Sequence, residues 1–174
     1  NYLTAFDFDT DAPNIYATDE TFTESAMAFM TPPDVDDPML TDLQAAGGKL
    51  LIYHGASDGV FSVVDTIDWY EQLTANNDGD ASDFARLFVV PGMNHCSGGP
   101  ATDQFVALTA LINWVEGDQA PEQIMATVNP TNPELPESWS RSRSRPLCPW
   151  PQIARLKEGA EDLETADSFE CVVP

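Results

Sequence analysis

The chain has 174 residues, 43% of them hydrophobic, which is enough for one ordinary core and too apolar for a disordered segment. Its 7 basic residues stand against 29 acidic ones, a formal charge of −22. A field of that sign repels phosphate backbones and anionic lipid, so nucleic acid and an anionic membrane surface are excluded as partners, and high solubility is its ordinary meaning.

No apolar run approaches the ~18 residues of a spanning helix, and no basic stretch leads into an apolar one at Asn1. Without an initiator Met, the sequence reads as an internal or processed piece of a longer polypeptide. Residues 1–18 are expected to be irregular. Asp7, Asp9 and Asp11 alternate as at the start of a calcium loop, but the central Gly and the bidentate Glu are missing, so a solvated or locally capping loop is expected. Phe22, Ala26 and Phe29 at i, i+4 and i+7 predict a helix over 19–30, stopped by Pro32 and Pro33. A short helix over 38–46 ends at Gly47-Gly48, a C-cap signal.

A buried strand is predicted at 49–53, running into Tyr53-His54-Gly55-Ala56-Ser57-Asp58. The following helix starts at Ser62, with Asp65 completing a capping-box variant and Val63, Ile67 and Tyr70 as its inner face. A polar loop over 76–83 precedes a second strand at 86–90, which ends in Pro91-Gly92-Met93-Asn94-His95-Cys96. Thr102 is placed to cap a helix reaching about 116, with Phe105, Leu108, Ile112 and Val115 lining its face and Gly117 ending it. The strand–helix–strand–helix order implies parallel strands with helical crossovers, an α/β fold. From residue 129, Pro130, Pro133, Pro136, Pro146, Pro149 and Pro151 exclude long regular elements. The division expected is therefore 1–128 as the sheet-bearing part and 129–174 as a Pro-rich extension packed on it. Arg141, Arg143 and Arg145 form the one basic cluster, read as internal ion pairs rather than a phosphate site. No internal repeat is evident.

Two consecutive strands thus deliver an Asp and then a His at their C-terminal ends, which lie on one edge of a parallel sheet. Ester hydrolysis by acyl transfer needs an acid that accepts the Nδ1–H of a His, and a His that serves as base to a Ser. Asp58 and His95 fit those roles. Taken singly, Asp58 could be a turn or cap residue and His95 a satisfied loop histidine; it is the pairing on successive strand ends that favours chemistry. His54, inside the strand end, is read as a supporting residue. Gly55-Ala56-Ser57-Asp58-Gly59 also matches the G-x-S-x-G nucleophile elbow. With Ser57 as nucleophile, however, the acid would have to come from Asp65, Asp68 or the 78–83 loop, all poorly placed. Reading Asp58 as the acid requires only that the Ser lie upstream of residue 1.

Three cysteines are present. Cys148 and Cys171 sit in the loop-rich tail, where a bridge would contribute roughly 3 kcal/mol by loop closure. Cys96 is then single, either a buried free thiol or paired with a cysteine outside these residues.

Three stretches carry a resemblance: 47–58 ending in Tyr53-His54-Gly55-Ala56-Ser57-Asp58, then Pro91-Gly92-Met93-Asn94-His95-Cys96-Ser97-Gly98-Gly99-Pro100, then Arg145-Pro146-Leu147-Cys148-Pro149-Trp150-Pro151-Gln152 followed by Phe169-Glu170-Cys171. From about Phe6 onward the chain resembles the tannase and feruloyl esterase family of α/β-hydrolases. The resemblance implies the C-terminal part of an α/β-hydrolase with a Pro-rich, disulfide-closed tail. It implies Asp58 as triad acid, His95 as base, a Cys148–Cys171 bridge, and Cys96 bridged to a Cys beside the nucleophilic Ser. The Ser and a lid with a structural calcium would lie on a missing N-terminal part; no cofactor is expected in this chain. It further implies a secreted or periplasmic esterase acting on esters of aromatic acids, with the 174 residues inactive alone. The rival reading is a non-catalytic acidic binding or structural module that keeps a hydrolase-like sheet.

Overall fold

The structure, a computed structural model, describes residues 2–33 and 35–174. Two units are distinguished, Asn1–Pro38 and Met39–Pro174. In the first, helix α1 (Tyr2–Ala5), a 3-10 turn (Ala12–Tyr16) and helix α2 (Ala26–Met30) are short. Residue 1 of the stretch read as irregular lies outside the described residues; the rest of it holds two short helical turns. Between them the acidic run caps itself: Asp7 Oδ1 accepts from the Asp9 and Thr10 N–H groups at 2.9 and 3.0 Å, and Asp11 Oδ2 from Asp7 N–H at 2.9 Å.

The helix predicted over 19–30 is cut to five residues. Asp19 Oδ1 takes the Thr21 and Phe22 N–H groups, and Ser25 Oγ takes that of Ala28. These side-chain acceptors offer the backbone a turn and a late cap in place of a continuous helix. Phe22 and Phe29, expected on one helix face, are both exposed.

The second unit opens with α3 (Thr41–Ala45), shorter than 38–46 because Leu40 at its start is left-handed (φ 51°). Strand β1 (Leu50–Gly55), helix α4 (Val63–Asn76) and strand β2 (Ala85–Val90) form a parallel crossover, with β1 and β2 in register from Leu50↔Ala85 to Gly55↔Val90. Tyr70 and Leu73 continue the inner face of α4 that Val63 and Ile67 begin. Ser62 has the extended backbone of a cap but makes no side-chain cap bond, so the capping box does not form. β2 is buried on both faces: Leu87 joins a cluster with Tyr70, Leu73 and Phe84, while Phe88 and Val90 pack with Met93, Ala126 and Leu147. This two-sided burial is why residues 87–90 are an unbroken apolar run.

Helix α5 (Ala107–Gly117) starts later than Thr102 because Gln104 pairs with Thr127, each N–H reaching the other's carbonyl at 2.9 Å. Its buried residue is Trp114, with Lys49 and Arg86 at 5.3 and 5.7 Å from the ring. Leu108, Ile112 and Val115, which line one face, are 66%, 43% and 56% exposed. Phe105 alone of that face makes a ring contact, edge-on to Tyr53 at 5.1 Å. Strands β3 (Ile124–Thr127) and β4 (Ser144–Leu147) pair antiparallel, as do β5 (Ile153–Leu156) and β6 (Phe169–Val172). Each has four residues.

Of the arginine cluster, Arg143 pairs with Glu164 at 2.7 Å and lies 3.9 Å over Trp139. Arg141 donates to the Asn132 carbonyl, while Arg145 donates to that of Leu163 and covers Phe169. The cluster is therefore internal, though ion pairing belongs to Arg143 and the others tie down backbone carbonyls. A disulfide joins Cys148 to Cys171, 23 residues apart, with Cα atoms 5.5 Å apart.

The Cys148→Ala/Cys171→Ala variant is expected to lose about 3 kcal/mol of unfolding free energy, the loop-closure value for a loop of this size. Urea unfolding of the two oxidised and bridge-free chains measures it; coincident midpoints would refute it.

Candidate active site

β1 and β2 end side by side, and the two loops that leave them are bonded together. Ala56 N–H reaches the Val90 carbonyl at 2.9 Å and Ser57 N–H the Met93 carbonyl at 3.0 Å. The approach is so close that a Cβ on Gly55 would run into the carbonyl oxygens of Met93 and Asn94. Glycine is demanded here by contact rather than by torsion.

The acid loop closes on its own carboxylate. Asp58 Oδ1 accepts from Val60 N–H at 2.7 Å and Phe61 N–H at 2.9 Å. Asp58 Oδ2 accepts from His95 Nδ1–H at 2.8 Å and lies 3.3 Å from His54 Nε2. The Asp58 side chain is 3% exposed and that of His95 46%. Burial works to raise the Asp58 carboxyl, but the N–H groups of Phe61 and Val60 and the imidazole of His95 outweigh it and hold the carboxyl well below the usual carboxylate range. An ionised Asp58 accepts only, so neutral His95 carries its proton on Nδ1 and presents Nε2 as a lone pair.

The loop bearing His95 is anchored from three directions. Met93 is buried in the core, and its N–H bonds the Val90 carbonyl. Gly98 N–H donates to Asp103 Oδ2 and Gly99 N–H to Glu134 Oε2, both at 2.8 Å. Asn132 Nδ2 donates to the Gly99 carbonyl at 2.8 Å. Gly99 is left-handed (φ 75°), and a Cβ there would strike the Gly92 carbonyl. Asp103, Asn132 and Glu134 escaped the sequence reading. Nothing local ties residue 134 to residue 99, and a buried carboxylate beside a glycine turn has no spacing signature. Phe61, whose ring centroid is 5.2 Å from that of His95, was also missed; an exposed aromatic three residues after the acid was its one signal.

Each residue singled out from sequence has a definite place. Asp58 and His95 touch. His54 stands behind Asp58, its Nδ1 2.8 Å from Thr66 Oγ1 and its Nε2 3.3 Å from the Phe61 carbonyl. Ser57 is exposed, and the turn after it turns Asp58, not Ser57, towards His95; α4 begins only at Val63. This is unlike an elbow, where the helix follows the nucleophile directly. Cys96 is a free, exposed thiol at φ 63°, which corrects the reading of a buried one. A cavity of about 630 Å³ bounded in part by Tyr70, Glu71, Arg86, Glu122 and Trp150 lies at the far end of β2 from His95. Among the described residues no group of three or more His, Cys, Asp or Glu side chains could hold a metal ion, and no helix is long and apolar enough to cross a membrane.

A family model described as tannase and feruloyl esterase matches residues 2–172. The mono(2-hydroxyethyl) terephthalate hydrolase of Piscinibacter sakaiensis is 47% identical over 177 residues, covering 97% of this chain and 26% of that protein. A probable feruloyl esterase of Arthroderma benhamiae is 34% identical over 140 residues, 78% of this chain and 25% of that protein. Among solved structures, an esterase from Aspergillus oryzae superimposes with a TM-score of 0.63 at 26% identity, over 77% of this chain and 29% of that one. The chain thus spans about a quarter of the length of the curated relatives it matches.

Two outcomes follow from the geometry. Gly55→Ala should cost about 1–3 kcal/mol, the range for overpacking against atoms that cannot move aside, and should part the two loops; denaturant unfolding and the His95 side-chain NMR signals report both. Asp58→Asn should destabilise the chain near neutral pH, because a carboxyl whose folded pKa is depressed stabilises above its ordinary value of 3.8. That advantage is lost as pH falls through the lower folded value, so the gap between the two proteins should close on acidification. Thermal unfolding from neutral to strongly acidic pH checks this, and a constant gap contradicts it.

Proposed function

The chain belongs to the tannase and feruloyl esterase family, and on that footing we propose that it carries the acid and the base of a Ser-Asp-His carboxylic ester hydrolase. The observation that carries this reading is the 2.8 Å contact between Asp58 and His95 at the ends of adjacent parallel strands. His95 Nε2, turned outward on a half-exposed ring, takes the proton of a Ser hydroxyl as it attacks the ester carbonyl. It returns that proton to the leaving alcohol and then activates the water that releases the acyl group. Asp58 fixes the tautomer and stabilises the imidazolium.

The nucleophile belongs to a polypeptide part upstream of these residues. Two features support a covering part of that kind. The stripe Leu108, Ile112 and Val115 on α5 faces solvent, and among the described residues β1 has a strand neighbour on one side only. Residues 1–128 then belong to the catalytic domain and 129–174 to an extension laid on it; the Phe88↔Pro149 bridge and the bond from Trp150 N–H to the Leu87 carbonyl support that attachment. Cys96, exposed beside the base, is placed for a bridge to a Cys next to the Ser.

The substrate class is an ester of an aromatic acid. The exposed Phe61 ring beside His95 supports it as an apolar wall for an aryl group, as do the names of the similar proteins, which include feruloyl and terephthalate esters. The disulfide in the tail supports a secreted or periplasmic location. The calcium that the resemblance brings would be held outside these residues; among the described residues no group of three or more His, Cys, Asp or Glu side chains could hold a metal ion.

The isolated chain is expected to leave p-nitrophenyl esters of aromatic acids intact. The polypeptide of its complete reading frame is expected to cleave them, with Asp58→Ala lowering kcat by roughly 10⁴-fold and His95→Ala by roughly 10⁶-fold. Turnover by the isolated chain that disappears with Ser57→Ala would replace this reading with the elbow one.

A further inference from the structure

Resting on that reading of Asp58 and His95, we propose that His54 is a positioning residue for the acid, and that Thr66 sets the tautomer through which it acts. His54 lies near the end of β1 with its side chain 14% exposed. Its Nε2 faces two oxygens that can only accept: the Phe61 carbonyl at 3.3 Å and Asp58 Oδ2 at 3.3 Å. A lone pair turned towards both would be repelled, so neutral His54 carries its proton on Nε2. Nδ1 is then an acceptor, and the hydroxyl 2.8 Å away on Thr66, in the first turns of α4, donates to it.

The consequence is a line of oriented dipoles. The Thr66 hydroxyl points its proton at His54, and His54 points an N–H at the oxygen of Asp58 that receives His95. Asp58 Oδ2 therefore lies between two imidazole N–H groups while Oδ1 is fixed by Val60 and Phe61. The same His54 proton faces the Phe61 carbonyl, and the Phe61 N–H is one of the two donors to Oδ1. His54 thus braces both the carboxylate and the turn that holds it. With the carboxylate plane set, His95 meets one fixed acceptor direction, which is what an orienting acid must supply. A histidine that only filled space would need neither the Thr66 bond nor one tautomer.

The chain has two histidines, so imidazole ¹⁵N NMR reads each without crowding. In the unchanged chain His54 is expected as the single Nε2–H tautomer, and His95 with a low-field, exchange-protected Nδ1 proton. Thr66→Val should mix the His54 tautomers and weaken or abolish the His95 signal, and Thr66→Ser should restore both. His54→Phe should abolish the His95 signal while the β1 and β2 amides keep their shifts; if that variant does not fold, the Thr66 pair decides alone. His54 found as the Nδ1–H tautomer, or a His95 signal indifferent to residues 54 and 66, overturns the inference and leaves the esterase reading standing. A His95 signal missing already in the unchanged chain sinks the acid–base reading and the inference with it.

Discussion

One carboxylate organises this end of the molecule. Asp58 is nearly sealed from solvent, yet it remains the ion because backbone N–H groups and an imidazole converge on it. Burying an unpaired carboxylate would be prohibitive; burying one that is saturated with donors fixes the geometry of everything donating to it. The loop after β1 is folded around that group, and the loop after β2 is drawn to it by His95. The backbone bonds between Ala56, Ser57, Val90 and Met93 then set the distance the pair must span.

The second anchoring layer has the same character. Asp103 and Glu134 place carboxylates against the N–H groups of Gly98 and Gly99, so the turn that carries His95 is held by charge-assisted bonds rather than by apolar contacts. A glycine-rich turn has much conformational freedom to lose. Two acidic acceptors, of which Asp103 is buried, an amide from Asn132 and the core residue Met93 remove that freedom without bulk near the imidazole.

How much of this could be read from the sequence depends on the range of the forces involved. β1, α4 and β2 were legible because strand runs, the helix period and Gly turns are local signals, and so was the placement of Asp58 and His95 at strand ends. The direct contact between them was an inference from sheet topology, and it holds. Where local signals competed, the reading failed: Asp19 and Ser25 diverted the helix expected over 19–30, and the Gln104–Thr127 bridge delayed α5. For α5, periodicity names an apolar side and not what lies against it. Within these residues the buried position is Trp114, flanked by Lys49 and Arg86, while the apolar stripe is left in water. The supports from Asn132, Glu134 and Thr66 are pairings of common polar residues 12 to 35 positions apart, and no spacing rule reveals them, nor the five-residue reach of Asp103 to Gly98.

The cations show where so acidic a chain spends its few positive charges. Lys49, Arg86, Arg141, Arg143, Arg145 and Lys157 each donate to a main-chain carbonyl, those of Asp83, Pro121, Asn132, Leu163, Leu163 and Asp167 respectively. Employed as intramolecular struts, they remain far outnumbered by the 29 acidic residues. Mutual repulsion among its carboxylates is then strongest in dilute buffer and fades once the screening length shrinks to about 10 Å near 0.1 M salt. Brine is the medium in which such a skin rests most easily.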